Sequence, residues 1–173
     1  LSNDVLPADF KEIAGEGELT VYKRSQAKNS ANVQTSVSFA QSAKTPDELS
    51  GKLVNSCGQP ETLKGDEKIY EISVQYEREN RKGRKEGYDC ILSFDYACES
   101  MELYVNGRKV NDYFYTGQKA LFSLGYFDFP TKITAVLNPL HEGDHIYLQE
   151  WPKMDDKKAC RIETVTLTEQ FSL

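Results

Sequence analysis

Five side chains carry the functional groups a sugar-binding surface needs. Trp151 lies next to Glu150, Tyr115 and Tyr126 lie in or near loops, and Asp112 precedes the aromatic run Tyr113-Phe114-Tyr115. Sugars are held by stacking their C–H faces on aromatic rings while carboxylates, amides and guanidinium groups take the hydroxyls, so a ring beside a polar group is the pattern to look for. The same residues fit a second role: Tyr and Trp also plug the ends of β-sandwiches or form the interface with a neighbouring domain, polar tips outward. A hydrolase would need two carboxylates held about 5–10 Å apart across a cleft, and with 27 acidic residues some pair satisfies that by chance. Asp95 differs from the others in lying inside the best strand, where the ordinary role is pairing with a nearby Lys or Arg. His141 and His145 flank Glu142 and Asp144. On a helix this spacing would put both imidazoles on one face; in a Pro-Leu-His-Glu-Gly-Asp connection it does not, and no metal site is expected. No serine-nucleophile motif and no glycine-rich phosphate loop occurs, so no cofactor is expected either.

The elements that position these residues read as strands. From Cys90 to Cys98, the positions Cys90, Leu92, Phe94, Tyr96 and Cys98 alternate with Ser93 and Asp95, the period of two of a strand with one buried face. Leu103 and Val105 then run into Asn106-Gly107, a pair that accepts positive φ at both centres of a tight turn, and Val110 and Tyr113 carry the returning strand. Earlier, Glu18 to Lys23 and Val33 to Phe39 read as strands, and Tyr70, Ile72, Val74 and Tyr76 are the buried set of another over 68–77. Thr45, Pro46, Asp47 and Glu48 are placed to cap a short helix running through Leu53. Ala120 to Leu124, Lys132 to Leu137, His145 to Leu148 and Arg161 to Thr168 complete about nine or ten strands, a count and spacing that describe an antiparallel two-sheet β-sandwich, jelly-roll-like in form. Residues 1–17, with Pro7, Gly15 and Gly17 as breakers and a helical turn near Ala8 to Ile13, read as a linker or docking arm, and 18–173 as one sandwich domain. The run from Glu77 to Gly87 reads as a solvated hairpin loop.

The run FDYACESMELYVNGRKVNDYFYTG resembles a segment in the C-terminal β-sandwich region of bacterial glycoside hydrolase family 35 β-galactosidases. The matching positions are Asp95 and Tyr96; Leu103, Tyr104, Asn106 and Gly107; and Asp112, Phe114, Tyr115 and Gly117. Asn138, Pro139 and Leu140 followed by Ile146, Tyr147 and Leu148 extend the likeness over roughly the second half of the chain. Cys98 departs from it, standing where such proteins commonly have Gly, and so do Ala120 and Leu121, where an aromatic often follows. The resemblance implies a galactose-binding-like jelly roll that is itself no enzyme. Such a domain braces a catalytic barrel or its sister domains, adds contacts to a galactose-containing glycan, or does both, and it implies a secreted or periplasmic setting. A free-standing carbohydrate-binding module is the alternative, and a small glycan-active enzyme stands last. The catalytic (β/α)8 barrel of such an enzyme, about 250 residues, is not in this sequence.

Composition narrows the partners. At 173 residues the chain buries a core without staples. A net charge of −6 and a pI near 5.1 exclude the basic surface that nucleic-acid binding requires. No apolar run approaches the roughly 20 residues of a membrane span. The chain opens on Leu1, which reads as an excised piece of a longer protein or a processed form. Cys90 and Cys98 share a face but lie about 26 Å apart along one strand, beyond disulfide reach, and read as core thiols. Cys57 and Cys160 are free to pair with each other or with a core cysteine.

Overall fold

The computed structural model describes residues 10–16, 19–24, 35–76, 88–148 and 150–171, with side chains for those between 35 and 170. Two compact units divide between Asn32 and Val33. In the first, β1 (Phe10–Glu16) pairs antiparallel with β2 (Leu19–Arg24) in a two-stranded hairpin. Residues 10–13 are therefore strand and not the helical turn expected there. The register slips between Glu12 and Ala14, leaving Ile13 as an extra residue, and a bulge of this kind breaks the period of two that would have marked the strand.

The second unit is an all-β antiparallel sandwich. Its larger sheet has the order β3-β4-β9-β6-β7, formed by β3 (Ser36–Gln41), β4 (Lys68–Gln75), β9 (Lys132–Asn138), β6 (Ser100–Val105) and β7 (Arg108–Phe114). The smaller has the order β12-β5-β8, from β12 (Arg161–Phe171), β5 (Tyr88–Ala97) and β8 (Ala120–Ser123). The chain crosses from one sheet to the other after β4, β5, β7 and β8, and again between β9 and β12, where β10 (Leu140–His141) and β11 (Lys158–Ala159) form a small ladder. The strand β5 is the spine of the smaller sheet, paired on both sides. Its alternation is as the sequence requires: Cys90, Leu92 and Phe94 are fully buried and Tyr96 nearly so. They meet Ile72, Val74, Met101, Leu103, Ile133, Ala135 and Leu137 of the larger sheet in one core. The β6–β7 turn is made by Asn106 (φ 51) and Gly107 (φ 78), the two positive-φ centres that tie the hairpin to its register.

The outer face of the larger sheet is roofed. After β3, Thr45 caps helix α1 (Pro46–Leu49) in a full capping box, accepting from the Glu48 N–H while Glu48 accepts from the Thr45 N–H. The helix is one turn long and ends at Leu49, short of Leu53, but both leucines are buried. With Leu63 they cover Ile69, Tyr104 and Val136, the outward side chains of β4, β6 and β9. Lys109 fastens the roof to the sheet, its Nζ lying 3.1 Å from Glu102 Oε1 and 3.5 Å from Glu61 Oε1, while the buried Tyr104 hydroxyl donates to Glu102 Oε2 at 2.6 Å. The carboxylate of Glu67, the roof's buried acid, accepts from the Lys64 and Gly65 N–H groups at 2.6 and 2.7 Å.

A further expectation changes. Residues 145–148 are not a strand: the Asp144 carboxylate accepts from the His141 N–H at 2.7 Å and Gly143 adopts φ +97, so the chain turns directly after β10. Ile146 and Tyr147 are left exposed while Leu148 packs inward. The hairpin loop expected over 77–87 lies outside the described residues.

Candidate functional site

The sandwich has two ends along β5, and the candidate residues are divided between them. At the Ala97 end, Tyr115 follows β7 and its N–H donates to the Glu99 carbonyl at 3.0 Å. The alternation of β7 turns Tyr113 inward, Phe114 outward and Tyr115 inward again. Tyr115 is half-buried, its ring edge-on to Tyr96 with centroids 5.8 Å apart, and the Tyr96 hydroxyl donates to the Phe114 carbonyl at 3.0 Å. Below Tyr115 lies a small apolar cluster of Ala97, Leu140 and Ala159 with Leu148 and Met154. Burial pushes the Tyr115 phenol above its ordinary range, helped by the nearby carboxylates of Asp95 and Glu150 and opposed by the Arg161 guanidinium. One aromatic thus lies in electrostatic reach of two carboxylates and a guanidinium.

Arg161 organises the connection that carries Glu150 and Trp151. Its Nη1 donates to the Lys153 carbonyl at 2.9 Å and to Asp155 Oδ2 at 3.4 Å, and its Nε donates to Glu163. The turn closes through Asp156 and Lys157, both at positive φ, into β11. Asp95, outward on β5, lies 4.0 Å from Lys119 Nζ, the lysine partner expected of a strand carboxylate. Around this end the large apolar side chains stand in water: Phe114 is 69 % exposed, Tyr147 92 % and Trp151 41 %. Phe114 adjoins Tyr115, and Tyr147 adjoins the packed Leu148.

Tyr126 and Asp112 are elsewhere. Tyr126, 84 % exposed, sits on the 3-10 turn Gly125–Phe127 after β8, at the Tyr88 end of β5. From Asp89, which holds that turn, to Tyr96, which touches Tyr115, is seven residues of strand, about 23 Å. The turn is fixed by Asp89: Oδ1 accepts from the Gly125 and Cys90 N–H groups, each at 2.7 Å, and Oδ2 accepts from the Ser123 hydroxyl at 2.6 Å. Phe127 stacks on Phe122 with centroids 4.8 Å apart, leaving Tyr126 outward. Asp112 is exposed on β7 directly opposite Glu102, on the roofed face of the larger sheet and not on the core side where Tyr115 packs. Of the five candidates, then, Glu150 is in electrostatic reach of Tyr115 and Trp151 follows it in the chain, while Asp112 and Tyr126 lie elsewhere.

The sequence reading passed over Arg161 and Phe114. Arg161 is 46 residues from Tyr115 in the chain, and no local pattern links them. Phe114 had a signal, since strand alternation between two inward tyrosines places it outward. His141 Nδ1 lies 3.8 Å from Asp144 Oδ2, and among the described residues no three of His, Cys, Asp and Glu gather as metal ligands would. No helix among the described residues is long and apolar enough to cross a membrane.

No family model matches the chain, no curated protein matches its sequence, and no solved structure matches its fold.

Proposed function

We propose that this chain is a non-catalytic accessory sandwich of a β-galactosidase-like glycoside hydrolase, and that it braces the parent enzyme by docking its Tyr115 end against the barrel or a sister domain. The observation that carries the reading is the exposure of Phe114, Tyr147 and Trp151 around the end where Tyr115 packs, with Asp95, Glu150 and Arg161 in electrostatic reach of the Tyr115 phenol. Protein interfaces favour this composition, aromatic residues and Arg at the centre with polar groups at the rim. The kind of parent rests on the resemblance carried by Asp95-Tyr96, Leu103 to Gly107 and Asp112 to Gly117, with which an antiparallel sandwich agrees.

A second reading, a carbohydrate-binding module for galactose-containing glycans, is favoured by Tyr115 itself: a half-buried ring in electrostatic reach of two carboxylates and a guanidinium has the kinds of group a sugar subsite uses. Calorimetric titration with galactose, lactose and a β-galactan separates the two. Bracing predicts no saturable binding to the folded chain. Micromolar-to-millimolar binding that Tyr115→Ala or Trp151→Ala abolishes would replace bracing with sugar recognition.

A further inference from the structure

Cys98 and Cys160 lie one residue beyond the last pair of the β5–β12 ladder, at the Tyr115 end. The ladder pairs Tyr96 with Ile162 and, as its last pair, Ala97 with Arg161; that register carried one residue past the end of the ladder aligns Cys98 with Cys160. Residues directly opposite in an antiparallel pair point to the same face. Tyr96 and Ile162 face the core, and so do the two cysteines: Cys98 is fully buried and Cys160 is 4 % exposed, in the same apolar cluster. With the register kept across this step their Cα atoms would lie about 4.5–5.5 Å apart, inside the window of about 4.4–6.8 Å that a disulfide spans. The Cys160 thiol is also among the groups acting electrostatically on Cys98.

All four cysteines are free thiols in this structure. The Cys160 S–H donates to the Leu137 carbonyl at 3.4 Å, so its sulfur must turn from that carbonyl towards Cys98 to bond with it. Neither other cysteine competes. Cys90 lies eight residues away along β5, and Cys57 is exposed on the roof, on the far face of the larger sheet.

We propose that Cys98 and Cys160 are a cross-strand redox pair that closes to a disulfide on reaction with a small-molecule disulfide such as glutathione disulfide. Cys160, the less buried of the two, reacts first. Its thiolate attacks one glutathione sulfur, the glutathione S–S bond breaks, and a glutathione thiolate leaves. The Cys98 thiolate then attacks the Cys160 sulfur of the mixed disulfide and expels the second glutathione. The two protein thiols lose two electrons and two protons; glutathione disulfide gains them and becomes two thiols. Burial raises both thiols above their ordinary range and keeps the thiolate fraction low, so closure is slow and follows local opening of this end. The bond would join the end of β5 to the start of β12 and lock the corner that carries Arg161.

The test uses the full chain with Cys57→Ser, which removes the exposed thiol. After incubation with glutathione disulfide, alkylation under denaturing conditions is expected to find one free thiol, Cys90, where the untreated protein has three. Peptide mapping is expected to recover Cys98 linked to Cys160. Closing a loop of this length is expected to raise Tm on the order of 10 °C, and Cys98→Ala is expected to abolish both the link and the rise. Should the folded protein resist oxidation, refolding it from denaturant in a glutathione redox mixture gives both sulfurs access. Three free thiols after both treatments, or a bridge that includes Cys90, would overturn the proposal.

Discussion

Removal of the Asp89 carboxylate should loosen the Tyr126 end of the sandwich by a calculable amount. Asp89 takes three short hydrogen bonds: two from backbone N–H groups, of Gly125 and Cys90, and one from the Ser123 hydroxyl. The Ser123 oxygen in turn accepts from the Tyr126 N–H at 3.2 Å, so one side chain sets the whole turn. Hydrogen bonds to a charged acceptor contribute about 1.5–3 kcal/mol each when buried and nearer 1 when partly wet. Asp89 is half-buried, and Asp89→Ala should therefore cost about 2–4 kcal/mol. For a chain of this length that is a fall in Tm of roughly 5–12 °C, at about 2–4 °C per kcal/mol. Asp89→Asn keeps the carbonyl oxygen that faces the two N–H groups and can donate to Ser123, so it should cost only about 1 kcal/mol. Guanidinium unfolding followed by far-UV circular dichroism and, separately, by Trp151 fluorescence reads both values and checks that the transition is two-state. A loss below about 1 kcal/mol for Asp89→Ala, or an equal loss for both variants, would refute the reasoning. It would show that the Phe127–Phe122 stack holds the turn without the carboxylate.

Four further outcomes follow from particular contacts. At Gly125 an added β-carbon would lie 2.6 Å from Asp89 Oδ1 and 3.3 Å from Phe129 Cζ. Gly125→Ala should therefore cost about 1–3 kcal/mol, and less in the Asp89→Ala background, a coupling that a double-mutant cycle measures. Phe94→Ala removes a fully buried ring from the centre of β5 and should cost about 3–5 kcal/mol by the same denaturation assay. Gly107→Ala places a side chain at φ 78 and should cost about 1 kcal/mol without changing the denaturant slope. Burial raises the phenols of Tyr88, Tyr96 and Tyr104, so at alkaline pH the unfolded chain releases protons that the folded one retains. Their contribution to stability is whole below the ordinary phenol value near 10 and is lost as pH rises from there towards the folded values. Unfolding free energy should fall steeply above about pH 10, and absorbance at about 295 nm should show these phenols ionising together with unfolding.

What could be read from the sequence was what strand periodicity and turn chemistry record locally. Cys90 to Cys98 announced its buried face because period two ran over nine residues with Ile91 the only large apolar residue on the other side, and Asn106-Gly107 announced its turn because few pairs tolerate positive φ twice. The Thr45–Glu48 capping box was legible for the same reason, each partner lying within one turn of the other. Where the local pattern was interrupted the reading failed: Ile13 bulges from β1, and the hydrophobic alternation at 145–148 belongs to a turn that Asp144 ties off. Long-range facts left no trace. Nothing local shows that Leu49, Leu53 and Leu63 roof the outer face of the larger sheet, or that Arg161 and Glu150 come within electrostatic reach of Tyr115. The alignment of Cys98 with Cys160 likewise depends on a strand pairing across some 60 residues of chain. The candidate site was accordingly half legible: its aromatics could be chosen by type, but Tyr126 and Asp112 could be set apart from Tyr115 only once the strand order was known.

The bracing role is tested most directly by titrating a separately produced family 35 catalytic barrel into the isotope-labelled chain and following its amide and Trp151 indole resonances. The account predicts shifts confined to Phe114, Tyr115, Tyr147, Trp151 and their neighbours, lost when Phe114, Tyr147 and Trp151 are all changed to Ser. Unmoved resonances with the barrel, combined with a Trp151 indole that shifts on adding galactose or lactose alone, would contradict it.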